Sequence, residues 1–387
     1  MTTHIKNIPE AGVPFPISEY GRRLERVTAA IEKAGLDALL VTSHGHLRYL
    51  SGYHGFGAYF APFPLIVIPG RQPIYVVREF EVSTVQAESW INDIVPYAQQ
   101  QDFAPVCAEV LRRYGLQAGK IGFELGCWNL APADVNGIQA HLPDMEVADA
   151  TRLVASVSAV KSPLEIQAMR EAMALTDIVV RTFQSSLREG VEEVQVCMNI
   201  QQELFKAGGT LYEAPTLVFG ERTKLSHGSP SRNALRKNDP AIMEMAGVPK
   251  HGYVAGLVRS AVLGRNPETE SLHSLAEEAL EYAISVIKPG VTTGEVDAAA
   301  RSVITRSGRP KVFRHRTGYQ TGIHWLERGN LSLEPKAVER LEVGMNFHMP
   351  MLLFSETGRI CGCSEQVVVT DSGAEILSST PHTLYYA

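Results

Sequence analysis

At Lys161-Ser162-Pro163-Leu164-Glu165 the chain carries a complete helix start, and the residue pattern differs on its two sides. Ser162 suits the N-cap, Pro163 the first helical position, and Glu165 closes a capping box three residues on. Before this point short apolar runs alternate with helical periodicity. Ser18–Ala34 places Leu24, Val27 and Ile31 on one helical face, and 106–114 reads as a second helix. The runs 37–42, 64–68, 73–77 and 120–124 read as strands, so residues 1–160 form an α/β layer. After this point the spacing predicts long helices over 163–187, 191–207, 268–287 and 294–307. Strands are expected over 216–219, 241–246, 257–263, 345–353 and 365–370. The division predicts two domains, 1–160 and 161–387.

A length of 387 residues suffices for both cores. The net charge of −6 argues against a nucleic-acid or acidic-membrane partner, because such surfaces need clustered Lys and Arg. Arg314-His315-Arg316 is too short for such a patch and reads as part of a site or loop. No apolar stretch is long enough to span a bilayer, and the polar first ten residues lack a signal core. The five cysteines fit no even-numbered framework and read as reduced thiols of a cytoplasmic protein. Cys361 and Cys363, two apart on a strand, share one face; a metal or redox pair is the alternative.

Several ordered segments then resemble one family. KSPLEIQAMREA (161–172), LSHGSPSRNALRKNDPAIMEMAG (225–247), GYVAGLVRSAVLG (252–264) and IKPGVTTGEVDAA (287–299) look like successive pieces of the pita-bread catalytic domain, the creatinase and Xaa-Pro aminopeptidase type. RTGYQTGIHW (316–325), GMNFHMP (344–350) and EQVVVTDSGAEILS (365–378) continue the pattern. The resemblance implies an α/β (α+β) fold: a creatinase-like N-terminal domain and a C-terminal domain with a curved antiparallel sheet covered by helices. It also implies a homodimer.

Most of that family holds two divalent ions with two Asp, one His and two Glu. Carried over, those positions fall at Met245, Gly256, Tyr319, Met349 or Pro350, and Ser364. None supplies the expected carboxylate or imidazole, so no metal and no other cofactor is expected. Glu244 and Glu365 each adjoin a lost position, and a strand bulge could restore one oxygen. Without the activated water another nucleophile is required. The resemblance to the metal-free branch, ectoine hydrolase and then creatinase, implies Glu244 as nucleophile and His227 as acid/base. The expected reaction is hydrolysis of a C–N bond in a small polar amidine, guanidine or cyclic amide. Between Gly322 and Trp325 the chain is several residues shorter than the ectoine-hydrolysing type.

Tyr319, His348, Glu365, Trp325, Arg328 and Arg316 are the expected substrate contacts, with His324 beside them and Arg78 a further anion-holding candidate. Tyr53 and Phe56, in the aromatic stretch YLSGYHGFGAYF (49–60), are expected in a loop that reaches the partner's active site. Each has a plainer alternative. Glu244 could be a structural carboxylate paired with Arg259, His227 a loop residue, and the aromatic stretch ordinary packing. A peptidase of the Xaa-Pro type and a non-catalytic pita-bread scaffold remain the rival functions.

Overall fold

The computed structural model describes residues 12–54, 62–98, 102–213, 215–325 and 327–387. It divides into two compact units, 1–158 with 327–330, and 159–326 with 331–387. The division falls two residues before the expected 160/161 boundary, and a four-residue piece of the C-terminal sequence belongs to the first unit.

In the first unit, strands β1 (Ala38–Val41), β2 (Leu65–Val67), β3 (Ile74–Arg78), β4 (Asp93–Tyr97), β5 (Lys120–Phe123) and β6 (Glu146–Asp149) form one mixed sheet in the order β4-β3-β2-β1-β5-β6. Helices α2 (His44–Ser51), α3 (Val82–Glu88), α4 (Phe103–Arg113) and α5 (Pro132–His141) lie between strands in sequence, α1 (Ile17–Lys33) precedes β1, α6 (Leu153–Ala159) follows β6, and β2 and β3 adjoin without a helix. The strand residues of β1, β2 and β5 are almost all buried, which fits their near-continuous apolar runs.

The second unit opens with α7 (Pro163–Ser186). Ser162 Oγ accepts from the Glu165 N–H at 3.2 Å and Glu165 Oε2 accepts from the Ser162 N–H at 2.9 Å, the reciprocal cap read from the sequence. α8 (Glu193–Lys206) follows, then β7 (Thr210–Leu211), β8 (Thr216–Phe219), β9 (Pro240–Met245), β10 (Gly247–Val248) and β11 (Leu257–Val262). Helices α9 (Pro267–Ser285) and α10 (Thr293–Arg306) come next, then β12 (Gly318–Gln320), β13 (Ser332–Leu333), β14 (Asn346–Phe354), β15 (Ile360–Val369), β16 (Ala374–Ile376) and β17 (Tyr385–Tyr386). One sheet runs β17-β11-β9-β8 and another β13-β12-β14-β15-β16; β7 and β10 form a separate pair.

The two larger sheets meet along β11 and β15 through side chains. Ser364 Oγ accepts from the Val258 N–H at 2.6 Å, and Ser260 Oγ donates to the Gly362 carbonyl at 2.7 Å. Phe347, Met349, Met351, Cys361, Cys363, Val367 and Val369 form one core with apolar residues of α9 and α10. Strand alternation therefore sends His348, Ser364 and Gln366 to the opposite face. Cys361 and Cys363 do share one face, and burial pushes both thiols up, Cys361 to about 12.

Candidate active site

Glu244, Thr216 and Val258 lie opposite one another on β9, β8 and β11, so they share a face. Glu244 is partly buried, and among the described residues no hydrogen bond or ion pair reaches its carboxylate. Burial alone raises its pKa from 4.5 to about 7. Arg259, the sequence-level candidate for its partner, is one residue off in register and points to the other face. There its guanidinium donates to Glu365 Oε1 at 3.0 Å and to the Ser364 and Thr380 carbonyls at 2.6 and 2.9 Å. Glu365 also accepts from Ser378 Oγ at 2.5 Å and contacts His382 Nδ1 at 3.0 Å. Glu365 is thus a structural ion-pair residue and not a substrate contact, because alternation along β15 places it opposite Ser364 and His348.

On the Ser364 face a side-chain relay runs between the sheets. Ser364 Oγ meets His348 Nε2 at 2.8 Å, His348 Nδ1 meets Tyr319 Oη at 3.1 Å, and Trp325 Nε1 donates to Tyr319 Oη at 2.8 Å. Burial, then the nearby His315 and Arg259, pushes the His348 pKa down to about 3, so its imidazole is neutral at neutral pH. One tautomer satisfies every buried hydrogen. Ser364, already accepting from Val258, donates to Nε2, and Nδ1–H donates to Tyr319. The opposite tautomer strands the Ser364 hydroxyl hydrogen in a fully buried position. With two donors on its oxygen, Tyr319 has its own proton left to offer outward. Burial raises the Tyr319 pKa, and the negative charge of Glu244 adds to the shift, which brings carboxylate and phenol into one electrostatic neighbourhood. The Arg316 guanidinium covers the Tyr319 ring at 4.5 Å from its centroid. Thr317, which donates to buried Asp297 of α10 at 2.8 Å, anchors the start of β12.

Trp325 fits here because residue 256 is glycine: a Cβ on Gly256 would lie 2.2 Å from the indole. The indole stands edge-on to His348, ring centroids 5.4 Å apart, and 5.5 Å from Tyr212. Beneath it, Thr176 of α7 donates to the Ala255 carbonyl at 2.7 Å and accepts from the Gly247 N–H at 2.9 Å.

His227 is exposed in the loop before β9, and the adjacent Gly228 carbonyl accepts from the Leu217 N–H of β8 at 3.2 Å. Its charge also acts on His315, after burial and the Arg316 charge, to lower that residue's pKa. His315 in turn packs edge-on to Tyr319. The sequence-predicted residues Glu244, Tyr319, His348, Trp325 and Arg316 therefore gather, with His227 at the edge. Ser364, Tyr212 and His315 complete the group; Ser364 was legible only as a lost ligand position.

The remaining expectations fall in the first unit or outside the described residues. Arg328 belongs, with Glu327, to the first unit. There Glu327 Oε1 accepts from the Gly45 N–H at 2.8 Å, and Arg328 stacks on exposed Trp128 at 4.0 Å, the usual use of a planar guanidinium beside an indole. Arg78 is ion-paired with Glu81 at 3.6 Å. Tyr53 is buried edge-on against Tyr75 in the first unit, a core position rather than a lid. Phe56 lies outside the described residues.

The five family ligand positions do not fit a pair of hard divalent cations. The Ser364 and Tyr319 oxygens are committed to the relay, Met245 and Met349 offer buried thioethers, and the indole occupies the space beside Gly256. Among the described residues of this group, Glu244 alone offers a carboxylate without a hydrogen-bond or ion-pair partner.

Two family models match the chain: "Creatinase/Prolidase N-terminal domain" over residues 23–160 and "Metallopeptidase family M24" over 167–371. Ectoine hydrolase of Halomonas elongata is 28% identical over 405 residues, covering 97% of this chain and 99% of its own. An uncharacterized hydrolase/peptidase of Sinorhizobium fredii is 28% identical, with 96% and 97% covered. The crystal structure of dipeptidase PepE from Mycobacterium ulcerans superposes with a TM-score of 0.85 at 25% identity, over 96% of this chain and 99% of that one.

Proposed function

Since the chain belongs to metallopeptidase family M24, a family of pita-bread hydrolases, and carries its creatinase/prolidase N-terminal domain, we propose that it hydrolyses a C–N bond of a small polar amidine, guanidine or cyclic amide without a metal. The observation that carries this reading is the lone Glu244 carboxylate, unpartnered on a strand whose neighbouring positions hold no metal ligands. The ectoine hydrolase relative supports the substrate class, and ectoine is the first compound to test.

In this reading ionised Glu244 attacks the electrophilic carbon of the substrate. The C–N bond breaks, His227 delivers a proton to the departing nitrogen, and water then opens the acyl-enzyme with His227 as base. Tyr319, with its proton free, donates to the developing oxyanion or to a polar atom of the substrate, and Arg316 holds a substrate carboxylate. His348, Ser364 and Trp325 position Tyr319.

A panel of ectoine, hydroxyectoine, creatine and Xaa-Pro dipeptides, assayed with and without chelator, tests the substrate. Turnover of the dipeptides alone, abolished by chelator, would replace this reading with the peptidase one. On the active substrate, Glu244→Gln should abolish turnover while the protein stays folded, and His227→Ala should lower kcat about 10²–10⁴-fold. Rapid quench followed by intact-protein mass measurement should show a substrate-derived mass on Glu244. An active Glu244→Gln variant returns this residue to a binding role.

A further inference from the structure

On the other side of β15 from Tyr319 and His348, three side chains converge without a stated role. Glu277 and Glu281 stand one turn apart on α9 and His382 comes from the C-terminal segment; one ligating atom from each lies within 4.8 Å of the other two. We propose that these three residues form a binding site for a divalent transition metal of the Zn²⁺ type, separate from the Glu244 site.

Four observations carry this. First, the ligand chemistry is imidazole plus carboxylate, which suits Zn²⁺ and its neighbours rather than Mg²⁺ or Ca²⁺. Second, the His382–Glu281 spacing is that of two ligands on one metal. His382 Nε2 and Glu281 Oε1 are 3.4 Å apart, long for a hydrogen bond. It matches the roughly 3.4 Å edge of a tetrahedron with metal–ligand bonds of about 2.0–2.1 Å.

Third, the histidine is oriented as a metal ligand is. Its Nδ1 is 3.0 Å from Glu365 Oε1, and Glu365 is itself held by Arg259 and Ser378. A carboxylate on one ring nitrogen leaves the other nitrogen's lone pair directed outward, the arrangement that raises ligand basicity. The segment that carries His382 is fixed as well. Buried Asp177 accepts from the backbone and hydroxyl groups of both Ser379 and Thr380, at 2.6–3.2 Å.

Fourth, a buried imidazole is left unused beside the cluster. His273, one turn before Glu277 on α9, is 1% exposed, and among the described residues neither ring nitrogen has a hydrogen-bond partner. Its Nδ1 lies 3.6 Å from Glu277 Oε2. With one oxygen of Glu277 on a metal, the other is fixed where His273 Nδ1–H can donate to it, which satisfies both groups. Water completes the tetrahedron on the exposed side.

Calorimetric titration of the chelator-stripped full chain with ZnCl₂, paired with the visible spectrum of the Co²⁺-loaded protein, tests the site. The wild type should bind one equivalent and gain thermal stability on doing so. Glu281→Ala, at an exposed position that folding does not need, should weaken binding at least about tenfold, as should His382→Ala. Glu244→Gln should bind as the wild type does. The proposal is overturned by no binding. It is equally overturned by binding that survives both Glu281→Ala and His382→Ala or disappears in Glu244→Gln.

Discussion

At the scale of single residues, two carboxylates that adjoin the lost ligand positions have opposite fates. Glu365 is neutralised by Arg259, both 1% exposed. Removing one member of such a pair strands the other charge, so Glu365→Gln should cost about 3–5 kcal/mol in urea unfolding. Refolded enzyme should keep its KM, which a substrate contact would not. Among the described residues no cation pairs with Glu244. Its folded pKa of about 7 exceeds the 4.5 of an ordinary glutamate. Its contribution to stability is therefore full below pH 4.5 and declines as pH rises through 7, because ionisation is costlier in the folded state. Glu244→Gln should flatten this decline and gain about 3 kcal/mol over the wild type above pH 7, relative to acid pH. Activity should move the other way, with kcat/KM rising through about pH 7 as the carboxylate ionises. Both roles could be proposed from the residues, but the choice of Arg259's partner could not. It depends on a register of one residue between β9 and β11, and periodicity does not set register across strands.

At the scale of elements, two helices that begin with a Ser/Thr–Glu capping box were legible almost to the residue. α7 and α10 start within one residue of expectation, with the Ser162–Glu165 and Thr292–Glu295 boxes formed. α2 was not legible. His44–Ser51 is buried over nearly its whole circumference, so it shows no polar face to mark a helical period, and its aromatic residues read as a loop. The site was legible where it follows single strands and hidden where it depends on the seam between them. Nothing along the chain shows that Val258, Ser364, His348 and Tyr319 are linked in one relay. Gly256 tests that seam. Gly256→Ala puts a methyl into the Trp325 indole and should cost about 1–3 kcal/mol. A shifted tryptophan emission should accompany the loss, since the Trp325 bond to Tyr319 breaks.

At the scale of the molecule, a pita-bread C-terminal domain and a creatinase-type N-terminal domain were both legible, because many short motifs fall in family order over most of the chain. The substrate was not, because one fold hosts many reactions. Assembly follows from the resemblance alone. Sedimentation at micromolar concentration should give a dimer, and a monomer that retains full activity would remove any need for a partner's loop. Among the described residues no helix is long and apolar enough to cross a membrane. The indole lodged against Gly256 has a consequence for how this protein can change. A carboxylate side chain at 256 forces Trp325 out, and that withdraws a donor from Tyr319. Position 256 and the phenol of Tyr319 are therefore tied to one another: a side chain at the first is gained only by loosening the second.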